Sequence, residues 1–158
     1  MDKSALRQAI LAELSRELAL QSNAAQESRS EATDQESRAE GQYDMRGQSA
    51  AYLAAGQAKL AGEIADAIAA YRTLALPSFG AADPVAVGAL VTLLRGGRPT
   101  CYFIGPARGG LEVALEGRAI TVITAASTLG RGLLGKRTGD CLPAPGGGAP
   151  GPRIASVE

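Results

Sequence analysis

Histidine and tryptophan are both missing from this chain. Without histidine there is no Ser-His-Asp arrangement, no imidazole general base and none of the usual zinc sites. Aromatic residues make up only 4% of the sequence, which excludes a large aromatic core. Cysteine is scarce as well. Cys101 and Cys141 stand alone with no C-x-x-C spacing, a pattern that fits buried or edge thiols in a reducing cytosol better than a disulfide scaffold. No long apolar run marks a membrane span, and Asp2 and Lys3 lead into a polar amphipathic pattern rather than a signal sequence. The expectation is a cytoplasmic protein with no membrane partner. Charge excess is the last absence. Lys plus Arg and Asp plus Glu both number 16, so global charge makes no case for non-specific nucleic-acid binding.

What is present divides the chain in two. Its 158 residues suit one ordinary domain or two small ones. Alanine is abundant in the first half and glycine in the second. Residues 2–30 and 45–76 read as helices. Leu11, Leu18 and Ala25 recur at seven, with Leu14 and Gln21 between them; Leu53, Leu60, Ala67 and Leu74 repeat the pattern, interleaved with Gln57, Ile64 and Tyr71. Such narrow heptad stripes predict two helices packed on each other as an antiparallel coiled-coil hairpin over residues 1–76. Roughly thirty residues at 1.5 Å each give a rod about 45 Å long. Periodicity alone reads equally as a dimerisation arm.

Between the helices lies EATDQESRAEGQYD, residues 31–44, with five acids and one base, Arg38. Gly41 and the polar content suit a turn or a broken helix at the hairpin tip. Pro77 to Gly80 breaks the second helix and opens a linker over 77–84. The period then changes. Residues 89–94, 100–105, 111–115, 120–124, 140–143 and 153–157 read as short strands separated by glycine, proline and charged turns. Residues 127–136 allow one or two helical turns with Ser127 or Thr128 as N-cap. Residues 85–158 are thus expected to form a small, mainly antiparallel sheet with one short helix, making the chain α+β overall.

The segments VGALVTLL, CYFIG, AITVITAASTLGRGLLGKRTGD and PRIASVE together resemble the C-terminal domain of the bacterial Gre transcript-cleavage factors, GreA and GreB. The run Ser127-x-Leu129-x-Arg131-Gly-Leu-Leu-Gly-Lys136, followed by Gly139-Asp140, carries most of the likeness. The resemblance implies an FKBP-like sheet domain behind a helical hairpin. It also implies RNA polymerase as partner, engaged at a coiled coil of its largest subunit beside the secondary channel, with the nascent RNA 3′ end reached through the polymerase. The hairpin tip would supply carboxylates to a magnesium ion held jointly with the polymerase, which then cleaves backtracked RNA. The chain would stimulate that cleavage rather than catalyse it alone.

The family's tip pattern is of the type Asp-x-x-Glu-Asn-x-Glu-Tyr. Aligned on Tyr43, Glu36 matches the first acid, Glu40 falls one position late, and Gln42 stands where the last acid would be. A second alignment takes Glu40 as the second acid, with Ser37 in first place and Asp34 one turn upstream. The resemblance therefore makes Asp34, Glu36 and Glu40 the candidate metal ligands. Glu36 and Glu40 come first, because an i,i+4 spacing on a helical tip puts them on one face. A solvated acidic turn explains the same residues, and Tyr43 reads either as packing at the hairpin end or as a contact to RNA or polymerase.

Ser127, Thr128, Leu129, Arg131 and Lys136 are the candidate partner-binding residues. Thr128 stands where the family has proline. Leu133 and Leu134 read as core, and Leu129 as the exposed docking residue. Two other classes stay open: a non-cleaving channel regulator, and a coiled-coil interaction module. A stand-alone prolyl isomerase is disfavoured by the shortage of aromatics for a proline pocket.

Overall fold

The structure is a computed structural model. It describes the backbone of residues 1–38, 45–143 and 151–158, and their side chains except at 31, 32, 34–38, 45–48 and 50. The described elements, in chain order, are α1 (Lys3–Arg38), α2 (Met45–Thr73), β1 (Leu90–Arg95), β2 (Arg98–Gly105), β3 (Glu112–Leu115), β4 (Arg118–Thr124), α3 (Thr128–Leu133) and β5 (Arg153–Val157). An N-terminal helical hairpin followed by a five-stranded, mostly antiparallel sheet with a short helix is the architecture expected from the sequence periods. Two compact units are formed, one from Met1–Leu11 and Ala69–Glu158, the other from Ala12–Ile68.

In the second unit the stripe is buried where small or aliphatic residues fall on it. Leu14, Ala25, Ala54, Ile64 and Ala67 are all buried. The helices are joined across the seam by a polar pair, the Ser28 hydroxyl donating to the Gln57 side-chain carbonyl at 3.0 Å. One position departs from the heptad reading. Leu53 is 55% exposed while its neighbour Ala54 is 3% exposed. Alanine costs least to bury where two helices approach closely, and a straight helix drifts against a strict seven-residue repeat, so the buried stripe moves over by one residue there. The first helix also outlasts its expected end at residue 30 and continues to Arg38.

The sheet has strand order β3-β4-β2-β1-β5. Every neighbour pair is antiparallel except β2 with β4, which is parallel, from Cys101 opposite Ile120 to Gly105 opposite Thr124. The β1–β2 hairpin turns on Gly96 and Gly97, with φ of 55° and 79°. Positive φ at both central residues is the type I′ geometry that matches strand twist. Side chains alternate between two buried faces, as the two-residue period of a strand requires. Val91, Leu93, Ile104, Ile123 and Ile154 join Leu133 of α3 in one core. On the other face, Leu90 stands opposite Phe103, and Thr92 opposite Cys101.

The expected strand at 140–143 is not one. Cys141 makes a single isolated bridge to Arg153. Leu142 donates its backbone N–H to the Pro152 carbonyl, but Pro143 has no N–H to continue a ladder. Asp140 is also drawn into a turn, its carboxylate accepting from the Arg137 N–H at 2.8 Å.

Candidate functional site

The run that carries the sequence likeness folds as a short capped helix. Ser127 is the N-cap of α3: its hydroxyl accepts from the Gly130 N–H at 3.0 Å and donates to the Thr124 carbonyl at 2.8 Å. One side chain thus closes the helix start and ties it to the end of β4. Gly130 is buried against that same Thr124 carbonyl, so a Cβ at this position would collide with backbone. The glycine is there for close approach of helix to strand. Leu133, three residues on, is fully buried in the sheet core, and Leu134 packs against it in part. The reading of these two leucines as core is correct.

Leu129, one turn before Leu133 and on the same side of α3, packs partly against that core rather than standing exposed as the sequence reading expects. It is half-buried and lines an open groove of about 570 Å³. Leu93 of β1 and Tyr102 of β2 line the same groove, as do Leu142 and Pro152 from the two chain segments that meet at the Cys141–Arg153 bridge. Thr128 and Thr100 offer hydroxyls at its rim, and Arg95 offers a cation.

Of the five sequence candidates for partner binding, Thr128 and Leu129 line this groove. Ser127 is engaged in capping. Arg131 is exposed and donates to the Ala126 carbonyl. Lys136 is half-buried, and its main chain bridges to Val85 through its carbonyl at 2.7 Å. Sequence reasoning missed Leu93, Arg95, Thr100, Tyr102, Leu142 and Pro152. Four of these were within reach: residues 93 and 95, and 100 and 102, are spaced by two and share a strand face. The proximity of Leu142 and Pro152 rests on a pairing over a distance and has no local sign.

The acidic candidates fare differently. The backbone of Asp34 and Glu36 lies in the last turns of α1, so this part of the expected turn is helical. Glu40, Tyr43 and Asp44 lie outside the described residues, and with Glu40 the proposed i,i+4 pair. Among the described residues no group of three or more Cys, Asp or Glu is arranged to hold a metal ion, and no helix is long and apolar enough to cross a membrane.

The fold and groove define a class: a helical hairpin joined to a mixed five-stranded sheet whose capped short helix walls an open apolar groove. Among solved structures, the chain is similar to the crystal structure of GreA factor homolog 1 (Gfh1) of Thermus thermophilus, at 19% identity over 94% of each chain with a TM-score of 0.38. It is also similar to the crystal structure of Thermus aquaticus Gfh1, at 21% identity over 95% of this chain and 94% of that one with a TM-score of 0.37. Similarity at this level carries no argument about activity. No family model matches the chain, and no curated protein matches it.

Proposed function

We propose that this chain is a Gre-like factor of transcription elongation that binds RNA polymerase and places its helical hairpin in the secondary channel. The observation that carries the reading is the Ser127–Lys136 run: it resembles the Gre docking segment, and it folds as a capped helix that presents Leu129 to an open groove. In this reading the groove engages the coiled coil of the largest polymerase subunit, and Asp34, Glu36 and Glu40 are the acids that the resemblance assigns to metal binding.

The donor chemistry of those acids suits magnesium, a hard cation that takes oxygen ligands and is held by one or two carboxylates together with water and phosphate. When bound between the two proteins, the ion supplies charge stabilisation to the attacking and leaving oxygens of a phosphodiester. The residues of this chain contribute carboxylate oxygens and position. They do not make a complete site, so the protein is inert on free RNA and acts only in the polymerase complex.

Backtracked elongation complexes test this. Added protein should shorten the transcript from its 3′ end, and the Glu36→Ala, Glu40→Ala double variant should still bind polymerase but cleave nothing. Slowed synthesis with intact transcripts would establish a non-cleaving channel regulator instead, an outcome favoured by Gln42 standing where the family has its last acid. Absence of any polymerase binding would sink both readings and favour a coiled-coil interaction module.

A further inference from the structure

The turn at Gly96–Gly97 does something the docking role does not explain. It sets Arg95 and Arg98 directly opposite each other as the last pair of the β1–β2 ladder. Directly opposed residues on an antiparallel pair project from the same face, their Cβ atoms about 5 Å apart, and like charges placed so are destabilising. Both arginines are exposed, and neither has an ion-pair partner among the described residues. No ion pair among the described residues offsets the like-charge repulsion of the two. Register places it on the face of Leu93 and Thr100, which line the groove, and Arg95 itself lines the groove. Among the described residues, the lining contains no acid.

We propose that this groove takes an acidic, partly apolar segment of a protein partner, with its carboxylates on Arg95 and Arg98 and an aliphatic side chain on Leu93, Leu129 and Leu142. The inference rests on the docking role proposed for this face and adds the chemistry of the segment that docks. Charge complementarity selects the occupant. Two adjacent guanidinium groups match carboxylates through paired N–H donors, and arginine clusters beside apolar grooves are a recurring means of reading acidic motifs. Nucleic acid fits less well. Its bases need stacking platforms, whereas this floor is aliphatic and proline with one aromatic, Tyr102, and the net charge of the chain is zero.

The test uses the full chain, labelled with nitrogen-15, and three probes: a synthetic peptide alternating leucine with glutamate, its glutamine counterpart, and single-stranded oligouridine. The glutamate peptide should shift the amide signals of β1, β2 and α3. Its affinity should fall roughly tenfold in the Arg95→Gln, Arg98→Gln variant, the size expected for losing two exposed charge contacts together, and fall with added salt. The Arg95→Lys, Arg98→Lys variant keeps the charge but loses the paired N–H donors, so its affinity should fall between those of the parent and the glutamine variant. Because the pair is strained by like charge, the glutamine variant should melt no lower than the parent. Equal binding of the glutamine peptide, shifts confined to other elements, or oligouridine moving the same signals while the peptide does not, would each overturn the proposal. Polymerase binding measured in parallel separates the two readings. Polymerase binding unchanged in the glutamine variant removes the acidic-segment inference and leaves the elongation-factor reading. Peptide binding without any polymerase binding does the opposite.

Discussion

The Tyr71 hydroxyl donates to the Ala107 carbonyl at 2.9 Å, and the ring is fully buried. The approach is open only because residue 105 is glycine: a Cβ there would meet the Tyr71 hydroxyl first, and then Val122 at 3.0 Å. A side chain near the end of α2 and the end of β2 are thereby fitted to each other within one compact unit.

Two substitutions test that fit by equilibrium urea unfolding. Tyr71→Phe removes the hydrogen bond to the carbonyl of half-buried Ala107, at a cost of about 1 kcal/mol. Gly105→Ala overpacks the site at a cost of about 1–3 kcal/mol. The double variant should lose less than the sum, since phenylalanine vacates the space the new methyl needs. Strict additivity would show that the two residues do not compete for that space.

Alkaline stability follows from the same residue. Burial raises the Tyr71 phenol well above its ordinary value of 10. Above pH 10 the unfolded chain gives up this proton while the folded chain keeps it, so the folded state binds more protons and stability falls as pH rises. The contribution is whole below pH 10 and lost progressively above it. Lys3 acts in the opposite sense: burial lowers its value from 10.5, so just below that pH the folded chain has released more protons, and stability rises toward it. The difference between parent and Tyr71→Phe melting temperatures, taken from pH 8 to 11.5, isolates the tyrosine and should shrink as pH rises. A constant difference would show that the phenol titrates normally.

The leucines of α3 should separate cleanly. Leu133→Ala removes a fully buried side chain and should cost about 2–5 kcal/mol in stability. Leu129→Ala, from the half-buried groove wall, should cost less stability and weaken polymerase or peptide binding more. Thermal melts and binding isotherms on the same two variants check this; equal binding losses at equal folded fraction would remove Leu129 from the docking surface.

Ser127→Ala should cost about 1–2 kcal/mol, toward the upper end for an N-cap because the hydroxyl serves two bonds. Gly130→Ala should cost more, since its methyl meets a backbone carbonyl that cannot step aside. Denaturant midpoints rank the two, and the reverse order would mean that α3 shifts away from β4 freely.

Much of this protein was legible in one dimension. Heptads and two-residue alternation are local patterns, so they marked the hairpin helices, five strands and the Ser127-capped turn without knowledge of neighbours. Where local rules conflicted, the sequence misled. The stretch at 140–143 has the composition of a strand, but Pro143 cannot extend a ladder; Leu53 falls on the heptad, but Ala54 allows closer helix contact.

The amino-acid order by itself determined where the period switches from helix to strand, that Leu133 and Leu134 belong to the core, and that acids cluster in the stretch 31–44. Only the tertiary structure decided that β2 and β4 run parallel, that Arg95 faces Arg98, and that Leu93, Leu129, Leu142 and Pro152 close on one groove. The reason is physical. A residue's own conformation follows from nearby sterics and burial period, whereas a groove is made of pairings between strands and segments far apart in the chain, whose register is set by the summed hydrogen bonds and packing of the whole sheet.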